Sequence, residues 1–151
     1  MSASREQTIL AEVLARLTGS PLGPITMPSG LSVDRSHLRE LAPSQLPAIS
    51  IYPLEASTER KGAISESVLT VKIVLWVLGV AGTPVDQSLD PLWQWVHQQL
   101  ITDESLGGLT IRVEPAQKIW GFNLHQAPFG DLDLHYRLTF RHQSLNPCLA
   151  G

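Results

Sequence analysis

The stretch Ile64-Ser-Glu-Ser-Val-Leu-Thr-Val-Lys-Ile-Val-Leu-Trp-Val-Leu78 decides the fold. Successive side chains of an extended chain point to opposite faces. Leu69, Val71, Ile73, Leu75 and Val77 therefore share one side, and Val68, Thr70, Lys72, Val74 and Trp76 the other. A second run, Asp131 to His142, alternates in the same way. There Leu132, Leu134, Tyr136, Leu138 and Phe140 oppose Asp131, Asp133, His135, Arg137, Thr139 and Arg141. That period of two marks a half-buried antiparallel strand. One face of such a sheet makes a core beneath helices. The other face of the first strand, ending in Trp76, is too apolar for free solvent along its whole length, which predicts burial between subunits.

Outward from these strands, Ser4 and Gln7 stand at capping-box spacing, and Ile9, Leu10, Val13, Leu14 and Leu17 form one stripe. This predicts an amphipathic helix from Ser4 to Leu17, ended by Gly19. Six of the eleven prolines fall between Pro21 and Pro53, so residues 19–46 are expected to be an irregular connection. Within it the pattern allows a turn of helix at Ser36 to Leu41. A short strand is expected at Ala48 to Tyr52, joined to the long one by a mobile polar hairpin loop, Glu55 to Ala63.

After Gly79, Thr83 and Pro84 signal a helix start, and Val85, Leu89, Leu92, Trp93, Val96 and Leu100 follow at helical spacing. Pro91 lies inside that pattern, so the regular part is expected to begin with Asp90 as its cap. Leu109, Ile111 and Val113 open a third strand, and Lys118 to Phe129 forms an excursion containing Trp120 and Phe122. The expectation is an α+β fold: a mainly four-stranded antiparallel sheet with two helices packed on one face.

The 151 residues make one domain, 1–151, with room for one core. A charged fraction of 17% is low for a soluble monomer and points to surface buried in an assembly. Net charge −3 supplies no basic stripe for a phosphate backbone. The single Cys148 cannot form an internal disulfide or a cysteine zinc site. Met1-Ser-Ala-Ser-Arg-Glu-Gln is not a leader pattern, and the apolar run Ile73 to Leu78 is too short to span a bilayer. Folding in a cytoplasm, without a membrane partner, is expected.

Several segments in this order resemble the tail terminator family of long-tailed bacteriophages, the minor tail protein U type. They are Leu46-Pro-Ala-Ile-Ser-Ile-Tyr-Pro53 after an N-terminal helix, Val74-Leu-Trp-Val77 ending the long strand, and Leu89-Asp-Pro-Leu-Trp93. Asp103-Glu-Ser-Leu-Gly-Gly-Leu109 and the closing strand Leu134 to Arg141 complete the set. The resemblance covers most of Leu46 to His142. It implies a structural protein with no chemistry and no cofactor. Such a protein forms a homo-hexameric ring on the head-proximal end of the tail tube, stops tube polymerisation and offers a surface for head-tail joining. Its implied partners are other copies of itself, the tail tube protein and the neck or connector proteins, and its place is the virion tail, assembled in the host bacterial cytoplasm. Another neck or head-tail completion protein is the alternative within the same world.

A ring built by heterologous contacts needs two unlike faces on each subunit. The candidates for oligomer or tube contact are Glu55, Glu59, Arg60 and Lys61 in the polar loop, and Lys72, Trp76, Asp133 and Arg137 on the second sheet face. Trp95 joins them, because Trp93 shares the stripe of Leu89 and Val96 and its near neighbour must point elsewhere. Asp131, Asp133 and His135 at alternate positions suggest a metal-dependent hydrolase as a rival, though too few further ligands are visible. His37, His97, His125 and His142 are scattered, and no strained serine turn marks a catalytic triad.

Overall fold

The computed structural model describes residues 3–36, 41–123 and 129–151. In chain order it contains α1 (Arg5–Thr18), β1 (Ser32–Arg35), a 3-10 turn at Pro43–Gln45, β2 (Ala48–Lys61) and β3 (Ile64–Leu78). These are followed by α2 (Val85–Ile101), β4 (Arg112–Asn123), β5 (Phe129–Gln143) and β6 (Asn146–Ala150). The strands lie in the order β1-β2-β3-β5-β4, with β6 pairing β5. All pairings are antiparallel except β1 on β2, which is parallel and sets Ser32 against Ala48.

The expected mainly four-stranded antiparallel sheet is therefore corrected to a six-stranded, curled, mixed half-barrel. Two of the strands, β1 and β6, have only four and five residues, too few to show a period. Two others outrun their expected limits. β2 continues through the polar stretch to Lys61, which pairs Ile64, so the expected mobile loop shrinks to a tight turn at Gly62 and Ala63. Gly62 has φ +75°, the left-handed conformation that such turns require and that a Cβ disfavours. β4 likewise absorbs the expected excursion as far as Asn123. The suggested helical turn at Ser36 to Leu41 falls largely on residues 37–40, outside the described residues, as do His37 and His125.

α1 starts where its signal places it: the Ser4 hydroxyl accepts from the Gln7 N–H at 3.3 Å. α2 does not begin at Asp90. It runs from Val85 straight through Pro91. Proline removes one i→i−4 bond, but Pro91 and Gln87 are both exposed, so the orphaned Gln87 carbonyl lies on the wet side of the helix.

Both helices pack on one face of the sheet. Ile9, Leu10, Val13 and Leu17 of α1 and Leu89, Leu92, Trp95, Val96 and Leu100 of α2 meet alternate residues of β3 from Leu69 to Val77 and of β5 from Leu132 to Phe140. α2 also ties down the proline-rich connection. Gln98 exchanges two hydrogen bonds with the Ile25 main chain, both 2.8 Å. Gln99 donates to the carbonyls of Arg16 (2.7 Å) and Ser20 (3.0 Å) and accepts from the Leu22 N–H (2.9 Å). The Trp95 indole donates to the Leu17 carbonyl at 3.1 Å, so the last carbonyls of α1, which no helix can satisfy internally, are closed by side chains of α2.

A 15-residue strand such as β3 or β5 is about 45–50 Å long, whereas the 17 residues of α2 reach only about 25 Å. The long strands therefore run past α2; α1 reaches β6 near the β2–β3 turn, and it is β2 from Pro53 to Lys61 that is left uncovered there.

Candidate interaction surfaces

The helix-free face of the sheet collects the polar half of both long strands. Its registered rows run Tyr52, Lys72, His135, Gln117; then Ser50, Val74, Asp133, Ile119; then Ala48, Trp76, Asp131, Gly121. Arg137 is exposed and sits between Thr70 and Glu114. The Lys72 ammonium lies 5.5 Å from the centre of the Tyr52 ring, and the Ser50 hydroxyl bonds the Asp34 carboxylate from the neighbouring β1. Burial, then the neighbouring Asp133, pushes the pKa of Asp131 upward; the Gly121 N–H and Lys72 oppose that shift. Gly121 is what lets the carboxylate approach, since a Cβ there would collide with it.

Alternate residues on one strand stand about 7 Å apart. Asp131, Asp133 and His135 thus form a line rather than a cage, and among the described residues no group of three or more His, Cys, Asp or Glu is placed to hold a metal. Ser67 and His142 come within 3.2 Å, but Ser67 is buried and shares its hydroxyl with Thr58 at 2.8 Å. With Ser65 and Ser144 (2.8 Å), these residues form a polar ladder at the β2–β3 turn end of the sheet, in which the Ser67 hydroxyl is buried.

That turn end is the second surface. All nine residues from Pro53 to Lys61 are exposed. β1 covers the edge of β2 only as far as Ile51, and over Pro53–Lys61 the described residues pair β2 on one side alone. Glu55, Glu59, Arg60 and Lys61 all lie here. Glu66 on β3 gathers Lys61 (3.8 Å) and Arg141 (3.4 Å), exposed contacts of small energetic weight. Exposed Ile64, Leu145 and Leu149 add an aliphatic end.

The third surface was not legible as a site. The sequence pattern reads Trp93 as a core residue and Trp95 as outward-facing; the structure reverses the pair. Trp95 is fully buried, which removes it from the candidate contact residues, because a side chain without exposed surface has nothing to offer a partner. Trp93 is only half-buried. It lines a cleft of ≈480 Å³ between α2 and β4 together with His97, Lys118, Trp120, Leu134 and Tyr136.

The Lys118 ammonium sits 3.3 Å from the Trp93 ring centre and 5.7 Å from that of Trp120, a cation held on aromatic faces. Burial pushes its pKa down, and Asp90 opposes the shift. His97 faces the Tyr136 hydroxyl at 3.2 Å; burial, then Lys118, lowers its pKa. Burial raises that of Tyr136. The alternation Lys118, Trp120, Phe122 is the one sequence signal that could have revealed this surface as a strand face.

No protein-family model and no curated protein matches the chain.

Proposed function

We propose that this chain is a structural assembly protein of a long-tailed phage or related particle. In this reading it caps the head-proximal end of the tail tube as a homo-hexameric ring, ends tube polymerisation, and carries the surface for head-tail joining. It works through surfaces alone, without catalysis or a cofactor, at the neck end of the tail. The observation that carries the reading is the arm Pro53–Lys61, a strand exposed along nine residues and hydrogen-bonded on one side among the described residues. An ordered strand with both faces in water gains nothing from its own core, and an unpaired edge is a template for another chain. Such an arm is suited to lie on a neighbouring subunit or on the tube. The sheet's two ends also differ. Exposed Ile64, Leu145 and Leu149 mark the turn end, and exposed Leu78, Ile119, Trp120 and Phe122 the opposite one. Unlike ends suit a protein placed between two different partners.

The test mixes the full chain with its tail tube protein and follows mass by light scattering and shape by negative-stain imaging. A ring on one tube end, with tube growth arrested, is expected. Tubes that grow to the same length with and without the protein, beside a particle of monomer mass, would overturn the proposal. Leu54→Asp, on the arm, should abolish capping while leaving the folding stability within about 0.5 kcal/mol.

A further inference from the structure

β4 closes one side of the sheet, and among the described residues no strand pairs with its outer edge. From Gln117 to Asn123 it keeps unbroken register with β5, beyond the irregularity at Pro115. Alternate N–H and C=O groups along that edge therefore point away from the sheet at regular spacing, the arrangement onto which an extended peptide adds as a further strand. On the helix side this stretch carries Lys118, Trp120 and Phe122, with Trp120 46% and Phe122 60% exposed. α2 runs beside it with Trp93 and His97, leaving the ≈480 Å³ cleft between. A strand laid on the edge would turn every second side chain to the helix side, over the cleft where it borders Gln117, Lys118 and Trp120.

Two unrelated features thus coincide: a free main-chain edge, and an apolar, aromatic trough under it of the size that takes one or two side chains. The charge of the trough selects among sequences. Its lining is Trp93, His97, Leu134, His135, Tyr136, Trp120, Lys118 and the Pro115–Gln117 run, in which Lys118 carries the permanent positive charge. Asp86 and Asp90 do not line it; they line the adjoining smaller hollow, which shares Trp93, Lys118 and Trp120 with it.

We infer that β4 and α2 form a strand-capture groove for an extended segment of another protein, with apolar residues flanking one acidic residue on the groove-facing side. The main chain of the segment pairs with Gln117–Asn123, its apolar side chains cover Trp120 and Phe122, and its carboxylate meets Lys118. This inference does not rest on the tail-terminator reading and survives if that reading fails.

The full chain is titrated with a capped seven-residue peptide alternating threonine with leucine, aspartate and leucine. Tryptophan fluorescence and amide hydrogen exchange report the outcome. Saturable binding is expected, with exchange slowed at alternate amides of Gln117–Asn123. Replacing the peptide aspartate by lysine should weaken binding about tenfold, and Lys118→Met should erase that preference with the unfolding midpoint unchanged. Trp120→Ser should weaken both peptides alike. N-methylation of alternate peptide residues should abolish binding. Equal binding of the N-methylated peptide would overturn the inference in favour of a simple side-chain pocket. Exchange at the β4 edge that slows with protein concentration alone would assign the groove to a second copy of this chain. Unchanged fluorescence and exchange at millimolar peptide would remove the groove as a binding site.

Discussion

Gln99→Leu tests whether buried amides of α2, rather than apolar packing, hold the N-terminal third of the chain. Gln99 has no exposed surface, and it serves three main-chain groups outside its own helix: the carbonyls of Arg16 and Ser20 and the N–H of Leu22. Leucine fills a similar volume and leaves all three without this partner. An unmade buried hydrogen bond costs about 1–3 kcal/mol. These three groups are partly within reach of water, so the low end applies to each and the sum is about 3 kcal/mol. For a domain of this size that lowers Tm by about 6–12 °C. Urea and thermal unfolding followed by circular dichroism measure it. Gln94→Leu is the control, since Gln94 is exposed and reaches only Asp90 on its own helix; it should change stability by less than about 0.5 kcal/mol. If Gln99→Leu also unfolds within about 0.5 kcal/mol of the parent chain, the reasoning is refuted and the connection is held by its apolar residues alone.

Pro91→Ala restores a helix N–H without disturbing a buried contact and should raise stability by about 1–3 kcal/mol, measured by urea unfolding; a loss would show that the proline ring is needed where it lies. Asp103 accepts from the Ser105 hydroxyl, Arg16 and the Gly107 N–H, which hold its pKa well below the usual carboxylate range. A depressed folded pKa gives stability that is fully present above the ordinary value of 3.8 and is lost as the pH falls below it. The acid limb of the stability profile should therefore flatten in Asp103→Asn, and the two proteins should converge as the pH drops. Trp76→Gln, on the helix-free face, should yield a folded protein with native circular dichroism that fails to form the proposed ring; an unfolded product would make Trp76 a residue of its own subunit's stability instead.

α1 and β3 were legible because each has one face in the core: the Ser4 cap with its Ile9 to Leu17 stripe, and the alternation from Leu69 to Val77, carry the periods of their elements. β2 beyond Tyr52 was not, because Glu55, Thr58, Glu59 and Lys61 are exposed whichever way they point, and a strand with both faces in water loses its period of two. Lys118 to Phe122 failed for the related reason that Ile119 and Trp120 are both exposed. β1 was hidden by its parallel pairing, which depends on the distant Ala48 rather than on its own four residues. The exchange of Trp93 and Trp95 follows from Gln98 and Gln99. Hydropathy counts them as surface and so turns the helix the wrong way, whereas their amides are buried as partners for the connection. Of the candidate contact residues, Glu55, Glu59, Arg60 and Lys61 share the arm, Lys72, Trp76, Asp133 and Arg137 share the helix-free face, and Trp95 joins neither.

The centre of the sheet is the pairing of β3 with β5, in which Leu78 meets Phe129 and Ile64 meets Gln143. Those partners are far apart in sequence, with α2 and β4 between them. A chain emerging from a ribosome presents the β2–β3 hairpin long before β5 exists to cover it, and during that interval the inner strand is itself an open edge. Newly made molecules are thus most vulnerable to mispairing with one another in the interval before β5 can pair β3. A chain broken off within β5 would keep both helices but lack the strand that links the two halves of the sheet.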